Sequence, residues 1–362
     1  MSRKFVTISI IVLALGCLIS VSLAPTIQAD GGANHQTRNM HFGVSGGNVN
    51  DESRRFCCSG TLGSLVQDSG GTNYILSNNH VLGLAGKAHV GDDISQPGLV
   101  DFNCNVADVV ADFSAAPSLN NNVDAAVAAL RTGMMDGTGF IEDIGTISSV
   151  VKAPSVTMSV AKSGRTTGST TGSIQSINTN VSVRYPKSCG AGGGTVHTFT
   201  GQVVVTPGSF SAGGDSGSLI VTNNSCHQPV ALLFAGSSSS TIGNPIGSVL
   251  TQVGSALGGT TVTFVGGTCS ASALLESQAA AGLGGPSDQS VEFALNVMKG
   301  RVDQLMARPG VIGVGVGVSD LNPNEAAIVI YLDQNSLVTS RTPRWIDGVR
   351  VVRVFTDEFV AR

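Results

Sequence analysis

From Cys58 onward the chain is written in short apolar runs, each cut off by glycine, asparagine or serine, and this rhythm constrains its fold more than any other feature. Gly60 to Val66, Tyr74 to Leu76, Ile94, Val106 to Val110 and Val123 to Leu130 make a first set. After a glycine-rich stretch near residues 133 to 139 come Ile144 to Val151, Thr157 to Ala161, Thr171 to Ile177, Val181 to Tyr185, Thr195 to Val205, Ser218 to Thr222 and Val230 to Phe234. Apolar runs of this length between turn residues read as strands, and two sets of about six predict two small antiparallel β-barrels. Val123 to Leu130, rich in alanine, is a run that a helix also fits.

Composition narrows the class. Charged residues are 12% of the chain, about half the usual share, so charged helical bundles and coiled coils are excluded. With 41% hydrophobic residues the chain is too apolar for a disordered one. A formal net charge of −4 lacks the basic excess that nucleic-acid binding requires, so nucleic acid is not an expected partner.

Arg3 and Lys4 precede an uncharged stretch from Phe5 to Ala24, and Ile27-Gln28-Ala29 ends in a small residue. Residues 1–29 therefore read as a secretory signal peptide. The alternatives are an uncleaved membrane anchor and a lipid-modified Cys17, so any membrane association is expected through this segment alone. Six cysteines remain beyond it: Cys57, Cys58, Cys104, Cys189, Cys226 and Cys269. An even number in an exported chain points to disulfides, whose pairing spacing alone leaves open. No Cys-x2-Cys pair exists, so zinc is not expected.

Residues 30–55, polar and rich in glycine and asparagine, read as an N-terminal arm; the double barrel is assigned to 56–258. Residues 259–289 lose the strand rhythm and read as a Gly/Ala-rich linker. In 290–362, Val291, Leu295, Met298, Val302 and Leu305 recur at helical spacing, and Pro309-Gly310 stops that helix. Val311 to Val318, Ala326 to Leu332 and Val349 to Phe355 follow as strands of a small α+β module. Inhibition, chaperoning, substrate docking and simple packing against the barrels are its candidate roles. Gly310, Gly313, Gly315 and Gly317 alternate with valines and miss the Gly-x-Gly-x-x-Gly spacing, so they read as a closely packed strand and no cofactor is expected. Asp101, Asp108 and Asp112 lack the spacing of a calcium loop and read as turn acids.

Three residues carry the chemistry, in the order His80, Asp124, Ser216. His80 ends Ser77-Asn78-Asn79-His80 after an apolar run, Asp124 interrupts another, and Ser216 lies in Gly213-Gly214-Asp215-Ser216-Gly217-Ser218. A serine hydroxyl becomes a nucleophile when a neutral imidazole takes its proton, and a buried carboxylate fixes the tautomer of that imidazole. Glycines beside the serine permit a turn whose Gly214 and Ser216 amides converge on a developing oxyanion. An α/β-hydrolase would run Ser, acid, His and carry Gly-x-Ser-x-Gly; here position 218 is Ser.

On Ser77-Asn78-Asn79-His80, Val123-Asp124-Ala125 and Gly214-Asp215-Ser216-Gly217, the sequence resembles the trypsin-like, chymotrypsin-fold serine peptidases of a bacterial-type branch. Lys162 to Gly168 and Leu232 to Ser237 support the likeness, which spans roughly residues 43 to 258. It implies two six-stranded barrels meeting at a cleft, a polypeptide substrate, and an acyl-enzyme intermediate. It also implies Phe210, Ser211, Phe234, Ala235 and Gly236 as substrate-binding residues. The family's activated amino terminus, which pairs with the acid before the serine, is not matched: Val44-Ser45-Gly46-Gly47 follows Gly43, so Asp215 is expected to find another partner. Phe210 stands where an acidic primary pocket would need its carboxylate, which argues against Arg or Lys specificity. The expected function is a secreted serine endopeptidase, with a non-catalytic binding or assembly protein and a serine esterase as the alternatives.

Overall fold

A computed structural model describes residues 35–269, 284–336 and 342–361. The signal-peptide assignment, with Cys17, lies outside the described residues, as do residues 270–283 of the predicted linker. Seven strands open the described chain: β1 (Val44–Asn48), β2 (Gly60–Leu62), β3 (Ser64–Asp68), β4 (Asn73–Ser77), β5 (Asp93–Gln96), β6 (Asp108–Ala115) and β7 (Ala126–Leu130). A single helical turn, α1 (Asn79–Leu82), follows β4. A small hairpin, β8 (Phe140–Ile141) with β9 (Gly145–Thr146), separates this group from β10 (Ser159–Gly164), β11 (Gly168–Tyr185), β12 (Thr195–Thr206), β13 (Leu219–Thr222), β14 (Pro229–Gly236) and β15 (Thr241–Pro245).

The first sheet runs β3-β4-β7-β6-β5-β1-β2. β2 and β3 are the two halves of one bent strand, separated by Gly63, so the sheet closes on itself as a six-stave barrel. Glycine is required at the bend, because a Cβ on Gly63 would stand 2.0 Å from the Gly217 carbonyl oxygen. In the second group β10-β13-β14-β15-β12-β11 pair in sequence, and β11 pairs back to β10, which closes a second six-stranded barrel. The predicted double barrel is therefore the observed fold, and the alanine-rich run is strand β7. Both runs Thr171 to Ile177 and Val181 to Tyr185 belong to the single long strand β11, kinked by bulges.

Three boundaries differ from the sequence reading. The predicted arm supplies β1 and the buried Phe42 and Val44 to the first barrel core, because an antiparallel barrel needs that stave beside β5. After α2 (Ile246–Ala256), residues read as linker form β16 (Val262–Phe264) on the edge of β3. The predicted continuous helix is two, α3 (Asp288–Lys299) and α4 (Val302–Met306), broken at Gly300.

The C-terminal strands are β17 (Val311–Val318), β18 (Ala326–Asp333), β19 (Trp345–Ile346), β20 (Val349–Thr356) and β21 (Phe359–Ala361). They extend the second barrel, since β17 pairs with the edge of β11 beyond its β10 partner and β18, β20 and β19 follow in order. The Gly-Val alternation explains the fit. Val314 and Val316 bury against Ala294, Met298 and Leu305 of the helices, while a Cβ on Gly315 would stand 2.2 Å from Thr179 Oγ1 of β11.

Disulfides join Cys57 to Cys104, Cys58 to Cys189 and Cys226 to Cys269. Among the described residues no helix is long and apolar enough to cross a membrane.

Candidate active site

Strand pairing places the first two candidate residues together. Ser77 at the end of β4 pairs with Ala126 at the start of β7, so the residues after one and before the other emerge at the same barrel rim. Asn78 Nδ2 donates to the Asp124 carbonyl at 2.7 Å and tethers the two loops. His80, on α1, then donates from Nδ1 to Asp124 Oδ2 at 2.6 Å, and its backbone N–H donates to Oδ1 at 3.1 Å. A carboxylate only accepts, so the imidazole proton sits on Nδ1 and Nε2 is left as the proton acceptor.

Asp124 is wholly buried, and a buried carboxylate requires donors. Tyr185 Oη supplies a third, at 2.7 Å to Oδ2, and the Asp124 N–H is itself held by Asn244 Oδ1 at 2.9 Å. Burial, and then the adjacent Asp124 charge, hold the Tyr185 phenol well above its ordinary pKa. Tyr185 stands edge-on to His80 with ring centroids 6.0 Å apart. Neither Tyr185 nor Asn244 was singled out in the sequence: they lie 61 and 120 residues from Asp124, too far apart for any local pattern.

Ser216 lies on the other barrel, in the turn before β13. Its carbonyl accepts from Thr61 N at 2.8 Å, and the Gly214 carbonyl accepts from Thr61 Oγ1 at 2.9 Å, so the serine turn is bonded to the bent strand of the first barrel. Two glycines have left-handed backbones, Gly214 at φ +97° and Gly217 at φ +95°; a Cβ on Gly217 would stand 2.1 Å from Ser77 Oγ. The Gly214 and Ser216 amides have no hydrogen-bond acceptor among the described residues. Ser216 Oγ is buried and donates to the Phe234 carbonyl at 3.4 Å.

The acid beside the serine finds a lysine. Asp215 is buried, with Lys162 Nζ 3.4 Å from Oδ2, and it accepts from the Thr166 and Thr167 amides, Thr167 Oγ1 and the Ala212 amide. Burial lowers the Lys162 pKa, and the Asp215 charge opposes that shift. The segment Lys162 to Gly168 carries part of the resemblance in the sequence, but nothing local marks its lysine as the partner of Asp215.

A cavity of about 360 Å³ opens beside His80 and Gly214, with Asp51, Lys87, Arg165 and Ala361 among its walls. Burial raises the Asp51 pKa, against the opposing charges of His80 and Lys87. None of the five expected substrate-binding residues is among those lining this cavity. Phe210 is enclosed in the second barrel core with Ile174 and Val205, and Phe234 in the cluster with Phe199 and Tyr331, so neither ring forms a cavity wall. Ser211 Oγ bonds Thr241 Oγ1, and Ala235 and Gly236 are strand residues of β14. The three acids weighed for calcium each pair with an arginine: Asp101 with Arg165, Asp108 with Arg38 and Asp112 with Arg131. Asp51, Cys58 and Cys189 converge, but the two sulfurs are spent in a disulfide.

No family model and no curated protein matches the chain. Among solved structures it is similar to a glutamic-acid-specific serine protease, with a TM-score of 0.43 and 21% identity over 62% of this chain and 98% of that one. It is also similar to Nocardiopsis protease, with a TM-score of 0.41 and 15% identity over 62% and 98% of the two chains. For Thermobifida fusca protease A the TM-score is 0.41 and the identity 18%, over 63% and 99%. The chain is similar in structure to bacterial chymotrypsin-fold serine proteases.

Proposed function

We propose that this protein is a secreted serine endopeptidase. The observation that carries the reading is the buried Asp124 carboxylate, which receives His80 Nδ1–H and Tyr185 O–H while His80 borders a cavity shared with Gly214. A buried acid orienting an imidazole at a cleft is costly for a merely structural site and is what proton transfer from a serine requires.

In this reading Ser216 Oγ attacks the substrate carbonyl carbon as its proton passes to His80 Nε2. The carbonyl oxygen becomes an oxyanion held by the Gly214 and Ser216 amides. The C–N bond then breaks, His80 returns the proton to the leaving amine, and an acyl ester remains on Ser216. Water, deprotonated by His80, hydrolyses that ester and releases the carboxylic acid product. Asp124 stabilises the imidazolium in both halves. The base must be the neutral imidazole, so activity rises with pH as that ring loses its proton. The absence of an acid at Phe210 argues against Arg or Lys preference. Three disulfides, which persist in oxidising compartments, support export.

The test is peptide hydrolysis and labelling by a serine-directed phosphonate, comparing the wild-type chain with Ser216→Ala. Loss of both in the variant supports the endopeptidase. Ester hydrolysis without peptide hydrolysis would identify an esterase, and a folded wild-type chain that neither labels nor hydrolyses would leave a binding protein on the same fold.

A further inference from the structure

The chain's own C-terminal strand lies where a substrate would enter. After β20, β21 turns back and inserts between two strands of the second barrel. It pairs parallel to β11, Val183 with Phe359 and Arg184 with Val360, and antiparallel to β14, Ala235 with Ala361 and Gly236 with Val360. The other edge of this part of β14 is already paired, Ala235 with Ile242 and Gly236 with Thr241 of β15. β14 is also the strand whose Phe234 carbonyl accepts the Ser216 hydroxyl, and Ala361 borders the cavity with His80 and Gly214. An extended peptide binds a sheet edge by adding a strand. Here that edge, one residue from the Ser216 contact, is already filled by an antiparallel strand running toward the serine.

The segment before β21 is built to hold it there. Thr356 Oγ1 donates to Ser237 Oγ at 2.6 Å and accepts from Ser239 Oγ at 2.7 Å. The Asp357 carboxylate accepts from the Ser238 amide at 3.1 Å and from its hydroxyl. Glu358 forms a two-pronged pair with Arg184, both contacts 2.7 Å. Phe359 is wholly buried against Tyr331, ring centroids 5.8 Å apart, in the cluster that also holds Phe234. The Thr356 and Asp357 contacts grip Ser237 to Ser239, directly beyond the last β14 residue, while Glu358 and Phe359 hold β11 and β18. The ladder β11-β17-β18-β20 meanwhile bonds the C-terminal strands to the barrel, so the tail is delivered by a fixed element rather than a loose linker.

We propose that Val360 and Ala361 occupy the acyl side of the substrate groove in place of an extended peptide, so that the C-terminal strands restrain the peptidase in cis until β21 leaves. This rests on the reading of Ser216 and His80 as the catalytic pair. An occupant tethered to the same chain reduces the apparent affinity for outside peptide by the fraction of molecules in which the groove is open.

The experiment compares the full chain with a chain ended after Phe355, which keeps β20 but for its last residue and lacks the whole segment that the probe copies. A second variant, Glu358→Ala, loosens the anchor outside the groove and deletes nothing. All are made in the Ser216→Ala background, and binding of a fluorescent peptide copying residues 356–361 is followed by anisotropy. The shortened chain is expected to bind roughly tenfold or more tightly than the full chain, with Glu358→Ala between them. Equal binding by all three folded proteins would overturn the proposal. Hydrolysis is measured separately with Ser216 intact, where shortening is expected to lower KM and leave kcat unchanged. If the shortened chain binds the peptide yet no form hydrolyses or labels, groove occupancy stands and the endopeptidase reading falls. If all forms hydrolyse with the same KM and bind alike, the endopeptidase stands and the restraint falls.

Discussion

Lys162 Nζ lies 3.4 Å from the Asp215 carboxylate, and neither side chain is exposed to solvent. In the family that the sequence resembles, the acid before the serine is satisfied by a released amino terminus. Here a strand lysine and three backbone amides surround it, so the serine turn is held without any free terminus. Lys162→Met would leave Asp215 buried with backbone amides and the Thr167 hydroxyl but no countercharge. Removing one partner of a buried pair costs about 3–5 kcal/mol. A thermal transition lowered by roughly 6–20 °C is expected, at about 2–4 °C per kcal/mol for a domain of this size. Calorimetry of the variant checks it, and an unchanged transition would show that the amides and the Thr167 hydroxyl suffice.

Tyr185→Phe tests the third donor on Asp124. The phenol hydrogen bond to a carboxylate is worth about 1.5–3 kcal/mol, and losing it leaves the acid with His80 alone at Oδ2. Tyr185 is a positioning residue in this reading, acting through Asp124 on the imidazole. The expected result is a fall in kcat of about tenfold or more with KM little changed. A loss confined to KM would assign the ring to substrate contact instead.

An alkaline titration separates folded from unfolded protein. The chain has three tyrosines, and all are shifted upward: burial and then Asp124 act on Tyr185, burial on Tyr331, and burial followed by the Asp68 hydrogen bond on Tyr74. Unfolded, these phenols lose their protons near pH 10, whereas the folded protein retains them. From about pH 10 upward the unfolded state therefore binds fewer protons, and stability falls as pH rises; below that the contribution is complete. Phenolate absorbance should appear together with unfolding. A phenolate step near pH 10 in protein that stays folded would contradict the burial of these rings.

The Cys58–Cys189 bond ties the first barrel to the β11–β12 loop, and both cysteines border the His80 cavity. Replacing both by serine is expected to cost about 2–5 kcal/mol, the usual range for a native disulfide in a small exported domain. Denaturant unfolding measures this. A variant of unchanged stability that still hydrolyses peptide would reduce the bond to an incidental one.

How much was legible follows from how local each feature is. The turn-punctuated apolar runs announce both barrels, and the His-Asp-Ser order with its flanking glycines announces the candidate site, because strand length, turn chemistry and a serine turn are properties of neighbouring residues. The first stave was misread as an arm, since Val44 to Asn48 is too rich in glycine and serine to look like a buried strand, and burial on both sides came only from its pairing with β2 and β5. Phe210 and Phe234, expected to bind substrate, have their rings enclosed in the second barrel, because the resemblance locates backbone positions while closure of the barrel decides which side chains turn inward.

By itself, then, the sequence determined the strand-rich double barrel, the candidate nucleophile, base and acid, and the glycines that their turns demand. Tertiary structure alone decided that Lys162 neutralises Asp215, that Tyr185 and Asn244 brace Asp124, which cysteines bond, and that Phe359 to Ala361 lie along β14. Each of these joins residues far apart in the chain whose own neighbourhoods look ordinary. A buried charge selects its partner by proximity after barrel closure, and a strand edge accepts whichever segment the completed sheet delivers to it.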